Sequence, residues 1–193
     1  VVEQQKQEPE IPYLTRIQVL GAMGATAIIL WIVAKLWLRF GDFSIFTWRW
    51  NERDLLVGVG LGLIITVLSG LTYRFYPLYR KSADYYLDLV LKPLVLPDII
   101  WLGLLPGLSE ELLFRGVMLP ALGADHVAVI VSSLCFGVLH LSGSQQWPYV
   151  IWATIVGLIL GYSAILTGNL LVPIVAHIIT NLISSYLWKL RRV

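Results

Sequence analysis

The chain has 193 residues, 58% hydrophobic and only 13% charged, with a mean hydropathy of +0.77 and a formal net charge of +2. Soluble domains carry about a quarter charged residues, so this balance excludes an ordinary water-soluble domain and indicates an integral membrane protein. The small net charge argues against a nucleic-acid partner, and the single Cys135, set in an apolar run, excludes an internal disulfide and reads as a small packing residue.

The opening 1-VVEQQKQEPEIP-12 is polar and carries prolines, without the basic-then-apolar order of a signal peptide, so residues 1–16 read as a polar tail. Two spans follow, 17-IQVLGAMGATAIILWIVAKLWL-38 and 55-LLVGVGLGLIITVLSGLTY-73, each about the 20 apolar residues that a bilayer crossing needs. Trp48 and Trp50 in the connector suit the aromatic belt at a membrane surface. The stretch 74–98 alternates charge with Tyr and Leu and is punctuated by Pro93 and Pro97, the pattern of an amphipathic helix lying at the interface.

From residue 99 four apolar segments follow closely, at about 99–120, 126–142, 149–166 and 170–188, joined by short turns. Gly157, Gly161, Ser184 and Ser185 would let these helices approach closely. The expected fold is therefore all-α: a polytopic helical membrane bundle of about six transmembrane helices plus one interfacial helix. Its divisions are a tail (1–16), N-terminal membrane helices with the interfacial segment (17–98), a second helical region (99–188) and a basic tail (189–193). Six spans put nine basic residues on the side of the N-terminus and four (Lys35, Arg39, Arg49, Arg53) on the other, which predicts both termini in the cytoplasm.

Inside the second region stands 107-GLSEELLFRG-116. Each ionisable group at mid-bilayer costs about 2.5–3.5 kcal/mol on the insertion scale, so Glu110, Glu111 and Arg115 need compensation. Glu111 and Arg115, four apart, share a helix face and can pair. Glu110 is turned about 100° away and stays free to face something else. Partners lie on later segments: 136-FGVLH-140 supplies His140, with Phe136 one turn earlier on the same face, and 177-HIITN-181 supplies His177 and Asn181. Taken singly, each imidazole reads as a helix–helix hydrogen-bonding residue; polar groups on three separate segments together read as a site.

A carboxylate in an apolar setting can hold or abstract a proton near neutrality, and an imidazole beside it can help activate water. A second imidazole and a carboxamide can donate to an oxyanion. Those parts suffice for amide hydrolysis. Glu110, His140 and His177 could equally ligate zinc with water in an open position, although the H-E-x-x-H helix is absent. Ser109 has no Gly-x-Ser-x-Gly elbow around it, and His126, following Asp125 at a helix start, reads as a surface residue.

The three pieces in this order, E-E-x-x-x-R at Glu110, Glu111 and Arg115, F-x-x-x-H at Phe136 and His140, and H-x-x-x-N at His177 and Asn181, resemble the CAAX protease and bacteriocin-processing (CPBP, or Abi) family of intramembrane proteases. The resemblance covers about residues 98–188. It implies helices around a conical, water-accessible cavity, with 99–188 as the catalytic core. It also implies that Glu110 and His140 activate water, that His177 and Asn181 stabilise the oxyanion, and that Glu111 and Arg115 hold the helix in place. A metal-free reaction is expected, with zinc as the alternative. The expected partners are the lipid bilayer and a membrane-associated peptide or protein substrate. The alternative function is a non-proteolytic scaffold or assembly factor for a membrane protein complex, motivated by the aromatic-rich N-terminal region.

Overall fold

The structure, a computed structural model, describes residues 14–191 apart from the side chain of Ser144. Most of the polar opening stretch, including Lys6, and the basic residue Arg192 lie outside the described residues. Helices α1 (Arg16–Phe40), α2 (Glu52–Phe75) and α3 (Pro77–Leu91) come first. A 3-10 turn (Leu96–Asp98) leads into α4 (Ile99–Glu111), a π-helical segment (Leu112–Met118) and the short α5 (Leu119–Ala121). Then come α6 (His126–Val138), α7 (Trp147–Thr167) and α8 (Leu171–Arg191).

Local chemistry sets the boundaries. Thr15 begins α1 with a capping box to Gln18, Asn51 caps α2 through the Arg53 and Asp54 amides, and Asp125 caps α6 through the Ala128 amide. α7 ends at Gly168 in the left-handed region (φ 59°), where glycine costs least. Asn169 then works as a clip: its Oδ1 accepts from the Arg49 and Leu171 amides, and its Nδ2 donates to the Arg49 carbonyl and the Asp54 carboxylate. With Phe46 N–H bonded to the Gly116 carbonyl and Leu170 N–H to that of Thr47, the 41–51 connector is pinned across one end of the bundle.

Four helices, α1, α2, α7 and α8, are each long and apolar enough to cross a membrane; the pair Pro77–Leu91 and Leu96–Ala121, bent by 104°, would make a fifth if counted as one span. Two of the six expected spans thus take a different form. The 99–120 region runs as α4, π-segment and α5, interrupted by Pro106 and carrying the charges. The 126–142 region is helical only to Val138. Its 13 residues rise about 20 Å, short of the roughly 30 Å hydrocarbon core, so His140 follows a helix that stops partway. Irregular backbone at such depth is tolerated where it lines a cavity.

Packing centres on α8, which touches α2, α4 and α7, while α1 lies along α4 and the π-segment. Small residues bring backbones together, since a Cβ at Gly62 would stand 2.8 Å from the Ala176 carbonyl oxygen, and one at Gly157 or Gly161 would stand 3.0 Å from Ser133 or Val129. Cys135 faces outward instead of packing inside, because its helix turns Ser132, Ser133 and Phe136 inward. The start of α1 is tied to the turn before α4 by a two-pronged contact of 2.7 Å from Arg16 to each Asp98 oxygen. That guanidinium, helped by the Val95 N–H, holds the Asp98 carboxyl down at about 2.

Candidate active site

The α4–π junction builds the charged part of the site. The π-segment begins directly after Glu111, and the Leu119 N–H reaches back five residues to the Phe114 carbonyl. Glu111 and Arg115 are fully buried and pair at 2.7 Å, as their spacing predicts. Arg115 Nη2 donates to the Gly157 carbonyl at 3.0 Å, and the guanidinium lies over the Phe136 ring, 4.4 Å from its centroid. The absence of a side chain at Gly157 gives the guanidinium room, since a Cβ there would stand 3.3 Å from Arg115 Nη2.

Glu111 does more than pair with Arg115. The same oxygen, Oε1, lies 2.7 Å from His177 Nδ1 on α8, so Arg115, Glu111 and His177 form one chain across two helices. A carboxylate has no proton to give, so Nδ1 donates and Nε2 is left to act elsewhere. This contact was not legible from spacing, because 66 residues separate its partners.

His140 is fixed in a parallel way. Its Nδ1 lies 2.9 Å from the Phe136 carbonyl, an acceptor, so that nitrogen carries the proton and Nε2 presents a lone pair. The Phe136 ring sits between the two imidazoles, 4.9 Å from His140 and 5.8 Å from His177. Asn181, half-buried, donates one amide hydrogen to the Leu102 carbonyl at 3.4 Å and retains a second.

Glu110 faces away from this chain, and its Oε2 is buried without a hydrogen-bond partner among the described residues. Glu110, Phe136, His140, His177 and Asn181 all line one cavity of about 620 Å³. Leu14, Tyr73, Leu187 and Arg191 mark one end of that cavity, where α1 starts and α2 and α8 finish. Ser109 also lines it, but its hydroxyl donates to the Leu105 carbonyl at 2.7 Å. His126 lies on the exposed face against the Tyr162 hydroxyl.

Among the described residues no group of three His, Cys, Asp or Glu side chains is placed to hold a metal ion.

A helical bundle this apolar, burying an ion pair beside a cavity that carries a carboxylate, two imidazoles and a carboxamide, defines an integral membrane protein with a polar centre inside the bundle. The family profile described as type II CAAX prenyl endopeptidase Rce1-like matches residues 92–183 and so takes in all three motifs. Uncharacterized protein YpbD of Bacillus subtilis (strain 168) is 30% identical over 135 residues, 68% of this chain and 69% of the relative. No solved structure matches. The chain belongs to the CAAX protease and bacteriocin-processing family, a family of membrane-embedded proteases.

Proposed function

We infer that this chain is an intramembrane endopeptidase that hydrolyses a peptide bond of a membrane-associated substrate. The observation that carries the reading is that Glu110, His140, His177 and Asn181, drawn from three separate helical regions, line one cavity. In the reaction Glu110 and the free Nε2 of His140 take a proton from a water, whose oxygen attacks the scissile carbonyl. The developing oxyanion accepts hydrogen bonds from the spare Asn181 amide hydrogen and from His177 Nε2, which donates when both ring nitrogens carry protons. Glu111, with Arg115 behind it, fixes the ring by accepting from Nδ1, so both are positioning residues. The proton held by Glu110 and His140 then passes to the leaving amine.

The acid–base pair and the oxyanion donors are all filled by side chains, so dialysis against a chelator is expected to leave activity unchanged. Both termini are read as cytoplasmic, from the basic-residue bias and from the arrangement of Arg16, the end of α2, the start of α4 and Lys189 at one end of the bundle.

The deciding experiment compares wild type with Glu110→Gln and His140→Ala on membrane-partitioning peptides in vesicles. Each substitution should lower turnover by about 10²–10⁴-fold while the thermal unfolding curve stays in place. Wild-type turnover in both folded variants would sink the assignment. A scaffold role predicts instead that a stoichiometric membrane partner co-purifies with wild type and with Glu110→Gln alike.

A further inference from the structure

Beside the four proposed catalytic residues stands an aromatic wall that the mechanism above leaves unused. On α3 one face carries Tyr79 and Tyr86; the first turns of α7 carry Tyr149 and Trp152. The Tyr86 and Tyr149 rings stack at 4.6 Å, Tyr79 stacks on Tyr149 at 6.1 Å, and Trp152 meets Tyr79 edge-on at 5.8 Å. Trp152 Nε1 anchors the wall to Ser69 at 3.1 Å, and the Tyr149 amide donates to Ser82 Oγ at 3.3 Å. The wall ends at the site, with the Tyr86 and Tyr149 rings 6.1 and 6.2 Å from that of His140.

The hydroxyls at this end of the cavity differ in what they hold. Ser109 donates to the Leu105 carbonyl and Thr180 to that of Gly62. The phenols of Tyr86 and Tyr149 have no protein acceptor among the described residues, and both side chains line the cavity. A peptide drawn into so apolar a space loses the water on its carbonyl groups, and an unpaired carbonyl there is costly. Stacked tyrosines offer rigid donors that lose little freedom on binding.

We propose that Tyr86 and Tyr149 are a main-chain clamp: their phenol O–H groups donate to carbonyl oxygens of the substrate peptide beside the scissile bond. The clamp rests on the endopeptidase reading of the cavity, and it assigns these residues to substrate binding, with the stacked rings also walling His140.

The test uses the full chain in phosphatidylcholine–phosphatidylglycerol vesicles and an internally quenched, apolar ten-residue peptide. Cleavage is followed with wild type, and equilibrium binding with the Glu110→Gln chain. Tyr86→Phe with Tyr149→Phe keeps the stacked rings and removes both donors. The pair should raise KM and weaken binding by about tenfold, with kcat nearly unchanged and thermal unfolding in place. If the double variant does not fold, each single variant is expected to show a smaller shift of the same kind. Binding and KM equal to wild type overturn the clamp, as does a fall in kcat alone, which would assign the rings to positioning His140. A chain that binds the peptide through these phenols but never cuts it keeps the clamp and sinks the endopeptidase reading. A chain that neither binds nor cuts it overturns the clamp as well.

Discussion

The two halves of the bundle are similarly apolar but bury different things. α1 and α2 turn inward only Val19, Leu30, Ala34, Gly58, Gly62 and Ile65, and otherwise show large hydrophobic side chains to the surroundings. Every buried polar or charged side chain among the described residues lies at position 82 or later, including Glu111, Arg115, Ser132, Ser133 and His177. Along their spans α1 and α2 meet their neighbours mainly by shape, with Ser69 and the Gly62 carbonyl as isolated hydrogen-bonding points, whereas the second half buries side chains that need directed hydrogen bonds in a medium where unpaired groups are costly. Errors of fit should therefore be graded in the N-terminal half and abrupt in the C-terminal half.

The largest effect is expected at Arg115. Arg115→Met leaves the buried Glu111 with only His177 to bond it and no guanidinium, and breaking such a pair costs about 3–5 kcal/mol. Glu111→Gln should also lower the melting temperature, and it should reduce turnover in whatever fraction remains folded, because His177 loses an anionic acceptor. The double variant, with no charge left to bury, should be less destabilised than the two singles summed. Additive melting-temperature losses would break the comparison. The adjacent Glu110→Gln sharpens it: the same chemical change one residue away should remove activity and leave the melting temperature where it was.

In the N-terminal half the corresponding probe is a methyl group. Gly62→Ala puts a Cβ 2.8 Å from the α8 backbone at Ala176, and overpacking of that kind costs about 1–3 kcal/mol. Gly60→Ala, two residues along, meets nothing within 4 Å and should leave the melting temperature unchanged or slightly raised. Equal losses at the two glycines would show that shape does not govern this half.

The smallest effect belongs to Asp98→Asn at the Arg16 contact, where solvent around the half-exposed guanidinium screens the pair. Because the Asp98 carboxyl is held at about 2, below its ordinary 3.8, the contribution is complete above that ordinary value and fades as pH falls through about 2. A small difference in melting temperature at neutral pH that closes at the acid end is the expected outcome.

Much of this was legible in the sequence, for reasons that particular residues make clear. The Glu111–Arg115 pair follows from helical spacing, and Phe136 beside His140 and His177 beside Asn181 are also one turn apart, so adjacency along a helix could be read directly. The Glu111–His177 contact could not, because it depends on how α4 packs against α8. Tyr86 and Tyr149 look like interface-belt residues by composition, and their stacking appears only once α3 folds onto α7. Asn169 is a turn residue in sequence and a four-way clip in space. The outward turn of Cys135 likewise depends on which face of α6 the bundle covers.

The Asn169 clip has a consequence for the bundle as a whole. The elements that it joins, the 41–51 connector and the α7–α8 turn, contribute nothing to the cavity lining. The clip therefore closes the bundle where no cavity-lining residue lies, and it is a fixed point against which the lining helices are held.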